Sequence, residues 1–309
     1  MFLVPAPLAL SMKTRPAPGR FLAAVLVGLA SIPLCAVATP AQAAPLRSET
    51  QPAVLTFKDR SQPPRHLSLE VLEQACGEQE VEVDDPYRGE RTRYRVLSFR
   101  CVLDQGFAAR GGSASLAQES LLLRARDGYT RPAAGSVVVD RRAYLAFGEP
   151  GLEAPRFRPI DRRQIDPSPF YLVWAGVEHG DPHAHPWPYQ LDTIEIASFE
   201  SAFPHTEPKG LAKSDAGWRG YALFQESCSA CHAINGEGGK VGPDLNFPRS
   251  IVEYRPLAQI RGYIRNPEET RFTSMPAHLQ LSDADLDALI AYFKAMSARK
   301  HDPRRGNRS

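Results

Sequence analysis

Short runs of alternating apolar and polar residues dominate the chain between about residue 53 and residue 203. Alternation with a period of two is typical of strands that bury one face. Proline, glycine and aspartate separate the runs, as expected of turns. The pattern predicts strands at Val81–Val83, Tyr94–Leu97, Leu121–Ala125, Ser136–Val139, Tyr171–Trp174 and Tyr189–Ile196. It also predicts short helices from His66 to Ala75 and near Cys101.

The pattern becomes helical after about residue 213. Residues 215–227 are rich in helix formers and carry three aromatic side chains. Ser282 and Asp285 form a capping signal, a hydroxyl with a carboxylate three residues later. The helix predicted after this signal has one apolar face, formed by Leu286, Leu289, Ile290, Phe293 and Met296. The sequence therefore predicts a helix at each end of this second region.

Between these helices lies Cys228-Ser229-Ala230-Cys231-His232, which is the attachment signature of c-type haem. The two thiols can each add to a haem vinyl group, and the adjacent imidazole is then held against the iron. The glycine-rich segment 235–245 suits a backbone that wraps closely around a flat macrocycle. The alternatives are a thioredoxin-like redox pair or half of a zinc site, but no second pair of ligands follows to complete a zinc set.

Residues from about Gly210 to Lys300 resemble a class I c-type cytochrome. In that family the first and last helices cross where a small residue and an aromatic residue meet a Leu/Tyr pair. The matching residues here are Gly220, Phe224, Leu289 and Tyr292. The resemblance implies an all-α fold, one covalently bound haem c and outer-sphere transfer of one electron to or from redox partner proteins of unknown identity.

The resemblance also implies the ligands of the haem iron. His232 and Met275 match the two axial ligands, and the carbonyl of Pro243 matches the group that holds the other imidazole nitrogen. A thioether ligand raises the reduction potential into a range useful for electron transfer. Met275 could instead fill a gap in a loop. His278 is a rival ligand, which we interpret as a surface residue.

The first 43 residues differ in composition from the rest. The apolar run 21–38 is followed by Ala41-Gln42-Ala43 and preceded by three basic residues, Lys13, Arg15 and Arg20. This order is typical of a secretory signal peptide and predicts a periplasmic or secreted mature protein. A membrane anchor is the alternative, but Pro33 interrupts the run, and no later stretch has the length of a membrane span.

Charge does not indicate a nucleic-acid partner. The formal net charge of the 309 residues is +2, and loss of the three basic residues in segment 1–43 changes it to −1. A nearly neutral protein has no strong attraction for nucleic acid. The basic residues in the last segment, 301–309, are interpreted as a solvated tail.

Cys76 and Cys101 remain when the signal peptide and the two haem-motif cysteines are set aside. An even pair in an oxidising compartment is a candidate disulfide. The alternatives are two buried free thiols, or one thiol that serves as a metal ligand. Sequence does not show whether the two Cα atoms come within bonding reach.

The β-rich segment resembles small periplasmic domains related to the sulfite-oxidase-type molybdopterin-binding fold. The residues that carry the resemblance lie in segments 83–89, 94–99, 125–129 and 151–174. Catalytic members bind molybdenum through a pterin and one cysteine thiolate. Neither Cys101 nor Cys76 matches the metal-ligating position, so molybdopterin is not expected. Fold-level similarity alone is weak support for chemistry.

A histidine-rich segment lies within the β-rich region. His179, His183 and His185 come within seven residues together with Asp181, and imidazole suits zinc or copper. The segment could be a metal site, which would fit a sensor, or a rigid loop exposed to solvent. A third interpretation is a surface that meets a redox partner, with Trp187 near the contact.

The sequence thus predicts two domains, an N-terminal α+β, β-rich domain at 50–204 and a C-terminal all-α cytochrome c domain at 213–300, joined by a linker at 205–212. The predicted function is that of a periplasmic mono-haem electron carrier with a module that binds a partner or donor. The alternative is a haem–molybdenum oxidoreductase, similar to sulfite dehydrogenase, in which the cytochrome accepts the electrons.

Overall fold

A computed structural model describes residues 53–153, 156–177 and 184–304. The predicted signal peptide, 1–43, lies outside these residues. The β-rich part and the helical part that follows it belong to one compact unit of the chain. In the described ranges, no helix combines the length and the apolar character needed to cross a membrane.

The β-rich part contains two sheets. The strands of the first are β1 (Val54–Asp59), β2 (Gln62–Ser68), β5 (Ser120–Ala125), β6 (Thr130–Ala134) and β9 (Leu191–Ile196). The strands of the second are β3 (Gln79–Asp85), β4 (Glu90–Ser98), β7 (Ala143–Gly148) and β8 (Tyr171–Trp174). The strand orders are β2-β1-β9-β5-β6 and β3-β4-β7-β8. The pairing is antiparallel except between β1 and β9, which run parallel.

The α-helices of this part are α1 (Leu69–Cys76), α2 (Phe99–Gly106) and α3 (Gly135–Val138), which lie between strands, and α4 (Phe199–Ala202), which follows β9. Ser68 caps α1 by accepting a hydrogen bond from the backbone N–H of Val71. The end of α1 is joined to α2 by a disulfide between Cys76 and Cys101, whose Cα atoms are 5.7 Å apart. The sequence did not decide whether these two cysteines form a disulfide, and in the structure they do.

Two of the predicted elements of the β-rich part are wrong in type or in extent. Segment 136–139 was expected to be a strand because of its valines, but α3 begins there at Gly135. A Cβ at Gly135 would lie 1.7 Å from the carbonyl oxygen of Leu116, so close packing decides the conformation and overrides β propensity. His66 belongs to β2, and α1 begins only after Ser68.

The two faces of β5 lie in two different hydrophobic cores. Leu121 and Leu123 belong to the core of the β-rich part, whereas Leu122 belongs to the core of the helical part. Successive side chains of a strand point to opposite faces, so one strand serves both cores. The β-rich and helical parts therefore share buried apolar contacts.

The helical part begins with α5 (Ala216–Ser227) and ends with α8 (Asp283–Ser297). Between them lie the short strands β10 (Ala233–Ile234) and β11 (Glu237–Gly238) and the helices α6 (Ile251–Tyr254) and α7 (Leu257–Arg265). Ser282 and Asp285 form the predicted capping box, with backbone-to-side-chain hydrogen bonds of 3.2 and 3.0 Å. The helix start predicted from sequence is thus present.

Helices α5 and α8 cross where Gly220 contacts Ala288. A Cβ at Gly220 would lie 2.0 Å from the carbonyl oxygen of Ala288, so only glycine permits this approach. Phe224 and Tyr292 pack beside the crossing with ring centroids 5.4 Å apart, and Leu289 is fully buried. The crossing therefore packs the C-terminal end of α5, where the cysteine motif begins, against buried apolar side chains of α8.

Candidate haem site

The cysteine motif forms a tight turn directly after α5. The backbone N–H of Cys228 donates to the carbonyl of Phe224 at 2.9 Å, which extends the helical pattern by one residue. Cys231 and His232 then both donate to the carbonyl of Cys228, at 3.1 and 2.9 Å. We call residues 228–232 the attachment turn. The turn places two unbonded thiols and one imidazole next to one another.

Both thiols of the attachment turn are held in the protonated form. Burial raises the pKa of Cys228 to about 12 and that of Cys231 to about 11, and the nearby Asp127 carboxylate adds to the second shift. A thioredoxin-like pair needs one thiol with a lowered pKa, because the thiolate is the nucleophile. The environment of these two cysteines therefore argues against a thiol–disulfide redox pair.

The imidazole of His232 is oriented by the loop that follows the turn. Its Nδ1 atom lies 2.8 Å from the carbonyl oxygen of Pro243. A carbonyl only accepts hydrogen bonds, so Nδ1 carries the proton and Nε2 presents its lone pair. Burial also lowers the pKa of His232, which favours the neutral ring. A neutral imidazole with a free lone pair on Nε2 is a metal ligand.

Glycines allow the loop to pass directly over the attachment turn. A Cβ at Gly242 would lie 2.4 Å from Cε1 of His232, and one at Gly239 would lie 2.0 Å from the carbonyl oxygen of Ala230. The backbone N–H of Gly242 donates to the carbonyl of Cys231 at 2.7 Å. The turn, its thiols and the fixed imidazole fit a covalently attached haem.

The predicted second ligand, Met275, is half-buried and packs against the same hydrophobic core as Cys228. Its backbone N–H donates to Oγ1 of Thr273 at 3.2 Å.

His278, expected at the surface, is instead buried, and its N–H donates to the carbonyl of Ile264. That expectation was wrong because the segment carries no periodic pattern from which burial could be inferred.

Comparison with known proteins identifies this region. Residues 218–297 match the family model for cytochrome c. Residues 218–297 are a cytochrome c domain. An 85-residue stretch is 34% identical to cytochrome c oxidase subunit 2 of Alkalihalophilus pseudofirmus, and it covers 25% of this chain and 25% of that protein. The chain thus matches only a quarter of the length of this relative, and the family match does not extend into the β-rich part.

A cytochrome c domain implies covalently bound haem c, so the attachment turn is where such a group is expected. The resemblance of the β-rich part to the sulfite-oxidase-type fold stays a prediction. Neither thiol of the Cys76–Cys101 disulfide is available as a thiolate ligand. The metal-ligand alternative for these two cysteines is therefore not supported by the structure.

Two asparagines that were not predicted from sequence, Asn235 and Asn246, connect separate segments of the chain by hydrogen bonds. Asn235 Nδ2 donates to the carbonyls of His205 and Arg299, at 2.8 and 3.0 Å. Asn246 Nδ2 donates to Oδ1 of Asn235 and to the carbonyl of Met296, both at 2.8 Å. The Asn235-Gly236 dipeptide is a turn signal, and Asn235 has a left-handed φ of 58°. The dipeptide could have predicted the turn from the sequence, but not the groups to which Asn235 is hydrogen-bonded.

The predicted linker, 205–212, packs on the cytochrome c domain. The hydroxyl of Tyr292 donates to the carbonyl of Thr206 at 2.7 Å. The ring of His205 stacks on that of His301 with centroids 3.6 Å apart, and its Nδ1 lies 2.5 Å from a carboxylate oxygen of Glu237. In the predicted tail, Arg304 pairs with Asp302, and residues 305–309 lie outside the described residues.

The β-rich part contacts the attachment turn directly. The backbone N–H of Thr130 donates to the carbonyl of Ala230, and that of Lys240 donates to the carbonyl of Gly128, both at 2.9 Å. Arg131 Nη1 donates to the carbonyl of Glu226 at 2.9 Å. The start of β6 is thus bonded to the attachment turn, and the turn before β6 is bonded to the loop that follows the attachment turn.

Tyr87, Tyr129 and Tyr189 of the β-rich part lie within electrostatic range of Cys231. Burial raises the pKa values of Tyr129 and Tyr189, and the charge that Cys231 would carry as a thiolate adds to the rise in each. The rings of Tyr87 and Tyr189 meet edge to face with centroids 5.6 Å apart. The β-rich part therefore places aromatic side chains in the neighbourhood of the attachment turn.

The histidine-rich segment is described only in part, because His179 and His183 lie outside the described residues. The ring of His185 packs on Trp174 with centroids 4.9 Å apart, and its Nε2 lies 3.3 Å from Arg142 Nη2. Within the described ranges, no group of three or more His, Cys, Asp or Glu residues is arranged to hold a metal ion. Trp187 is buried, and the interpretation of this loop as a surface for a redox partner stays a prediction.

Proposed function

We propose that this protein is a one-electron carrier with one haem c attached through Cys228 and Cys231. His232 Nε2 and the Met275 sulfur would hold the iron from its two sides. The haem supplies a reversible change between ferric and ferrous iron. With His232 and Met275 both as iron ligands, the haem would transfer electrons without binding a substrate at the iron.

The orientation of His232 carries this proposal. The Pro243 carbonyl fixes the tautomer in which Nε2 presents its lone pair, and Gly242 lets the loop lie against the ring. A hydrogen-bond acceptor at the distal nitrogen is the arrangement that orients a ligating histidine and raises its basicity. The match of residues 218–297 to cytochrome c supports the same conclusion.

The buried side chains of α5 and α8 exclude water from this site. Phe224, Leu289 and Phe293 are almost completely buried and belong to the core that Cys228 and Met275 also contact. A site sheltered from solvent controls the reduction potential, because burial disfavours the more charged oxidation state. The apolar core would therefore both hold the haem and set its reduction potential.

We place the mature protein in the periplasm, after removal of residues 1–43. A disulfide such as Cys76–Cys101 persists in oxidising compartments outside the cytoplasm. The β-rich part would bind the partner or donor and hold it close to the haem. Its hydrogen bonds from Thr130 to the attachment turn, and from Lys240 of the following loop to Gly128, support this role.

The test is metal content combined with a redox titration of the full chain, purified from a host that matures c-type haem. We expect one iron and no molybdenum per chain, and a titration that follows a one-electron Nernst curve. One molybdenum per chain would overturn the carrier role and favour an oxidoreductase. A chain without iron would overturn the haem assignment.

A further inference from the structure

A turn of the β-rich part reaches the segment that carries Met275. Ile160 and Ile165 exchange backbone hydrogen bonds of 2.8 and 2.9 Å and close a turn over residues 161–164. Asp161 and Gln164 have left-handed φ values of 62° and 55°, which residues other than glycine rarely adopt. Ile160 is buried. The turn is therefore anchored at its base and presents Arg162 in a defined backbone conformation.

Arg162 makes three contacts with residues 268–273. Its Nη2 atom donates to the carbonyl oxygen of Thr273 at 2.9 Å. The same atom forms an ion pair with the carboxylate of Glu268. The guanidinium carbon lies 5.0 Å from the ring centroid of Phe272, an arrangement typical of a cation–π contact. One side chain of the β-rich part thus binds this segment of the cytochrome c domain through three contacts.

Thr273 connects these contacts to Met275. Its backbone carbonyl accepts from Arg162, and its Oγ1 atom accepts from the backbone N–H of Met275 at 3.2 Å. The hydroxyl of Tyr263, on α7, lies 3.4 Å from the same Oγ1 atom. The segment 270–282, which we call the methionine loop, contains neither helix nor strand. Side-chain contacts such as these therefore hold the loop around Met275 together with backbone hydrogen bonds such as that from His278 to Ile264.

We propose that Arg162 is a positioning residue that holds the methionine loop, so that the β-rich part stabilises the bond between Met275 and the haem iron. This inference rests on the proposed ligation by Met275. An external ligand binds the iron only in molecules from which the methionine has dissociated. Any contact that favours the bound loop therefore weakens the apparent affinity for that ligand.

The test is imidazole binding to the ferric full-length protein, followed by loss of the sulfur-to-iron absorption band. Arg162→Gln should bind imidazole about fivefold more tightly than the wild type, as expected for a half-exposed ion pair with one charged hydrogen bond. Arg162→Lys should recover part of the difference, because it keeps the charge but loses the planar fork. Arg156→Gln is the matched control, since Arg156 is exposed and lies 4.0 Å from Glu153.

Glu268→Gln removes the same ion pair from the other side and should raise the imidazole affinity as well. The double variant Arg162→Gln/Glu268→Gln should then change the affinity by less than the product of the single changes. A wild-type sulfur band with imidazole affinity unchanged in Arg162→Gln would overturn this inference alone. A wild type without the sulfur band would overturn the Met275 assignment and this inference with it.

Discussion

The backbone N–H of Thr130 donates a hydrogen bond to the carbonyl oxygen of Ala230, with an N–O distance of 2.9 Å. Thr130 begins strand β6 of the β-rich part, and Ala230 lies in the middle of the attachment turn. Lys240 and Gly128 form a second bond of the same kind beside it. The β-rich part is therefore joined to the haem-attachment segment by backbone hydrogen bonds as well as by chain connectivity.

Gly220→Ala is predicted to destabilise the protein. The new Cβ would lie 2.0 Å from the backbone carbonyl of Ala288, so α5 and α8 must separate. Overpacking of this kind costs about 1–3 kcal/mol of unfolding free energy, which thermal or urea unfolding would measure. Gly262→Ala, in α7, is the control, because nothing lies within 4 Å of its Cβ position. It should be neutral or stabilise by about 0.5–1 kcal/mol, and equal effects at both positions would contradict the crossing.

Gly242→Ala is predicted to disturb the ligating histidine and not the fold. Its Cβ would lie 2.4 Å from Cε1 and 2.6 Å from Nδ1 of His232, so the ring must move or its hydrogen bond to Pro243 must lengthen. A weaker hydrogen bond makes imidazole a poorer donor to ferric iron, so the midpoint potential should rise. Potentiometric titration measures the shift. A potential equal to that of Gly262→Ala would show that this contact does not act on the iron.

Met275→Ala and His278→Ala distinguish the two candidate ligands. Met275→Ala should abolish the sulfur-to-iron absorption band of the ferric protein and lower its potential, because the thioether stabilises ferrous iron. His278→Ala should keep the band and lower stability by about 1 kcal/mol, since His278 is buried. Absorption spectra and thermal unfolding of both variants are required. A wild type that lacks the sulfur band, and whose spectrum changes in His278→Ala but not in Met275→Ala, would make His278 the ligand.

Reduction of the Cys76–Cys101 disulfide is predicted to destabilise the protein without changing the haem spectrum. The bond links residues 25 positions apart, and a loop of that length contributes about 3.5 kcal/mol by restricting the unfolded chain. Urea unfolding of the protein kept in the ferrous state, with and without a thiol reductant, measures the difference. In Cys76→Ser/Cys101→Ser the reductant should have no effect. A wild type whose unfolding is insensitive to the reductant would rule out this contribution.

Features encoded by neighbouring residues could be predicted from the sequence. The capping box of Ser282 and Asp285 needs only a spacing of three residues, and the structure forms it. Most of the predicted strands were found for the same reason, since alternation is a local pattern. Segment 136–139 was predicted wrongly because its conformation is decided by packing at Gly135 against a distant carbonyl.

Contacts between distant segments could not be predicted. The hydrogen bond between Thr130 and Ala230 joins residues about 100 positions apart. The contacts of Arg162 with the methionine loop span a similar separation. The burial of His278 and Trp187 also escaped prediction, because both lie in irregular segments without periodicity. The haem motif itself was recognisable because its chemistry requires two cysteines and one histidine at fixed spacing.

The central claim is that haem is attached covalently through Cys228 and Cys231, and the pyridine haemochrome spectrum of the purified full-length protein tests it most directly. The spectrum should be that of a haem with both vinyl groups saturated, and the haem should not be extracted by acidified acetone. Cys228→Ser or Cys231→Ser should give the spectrum of a single thioether or no stable haem. A wild-type spectrum with two free vinyl groups, or one that neither substitution alters, would contradict the claim.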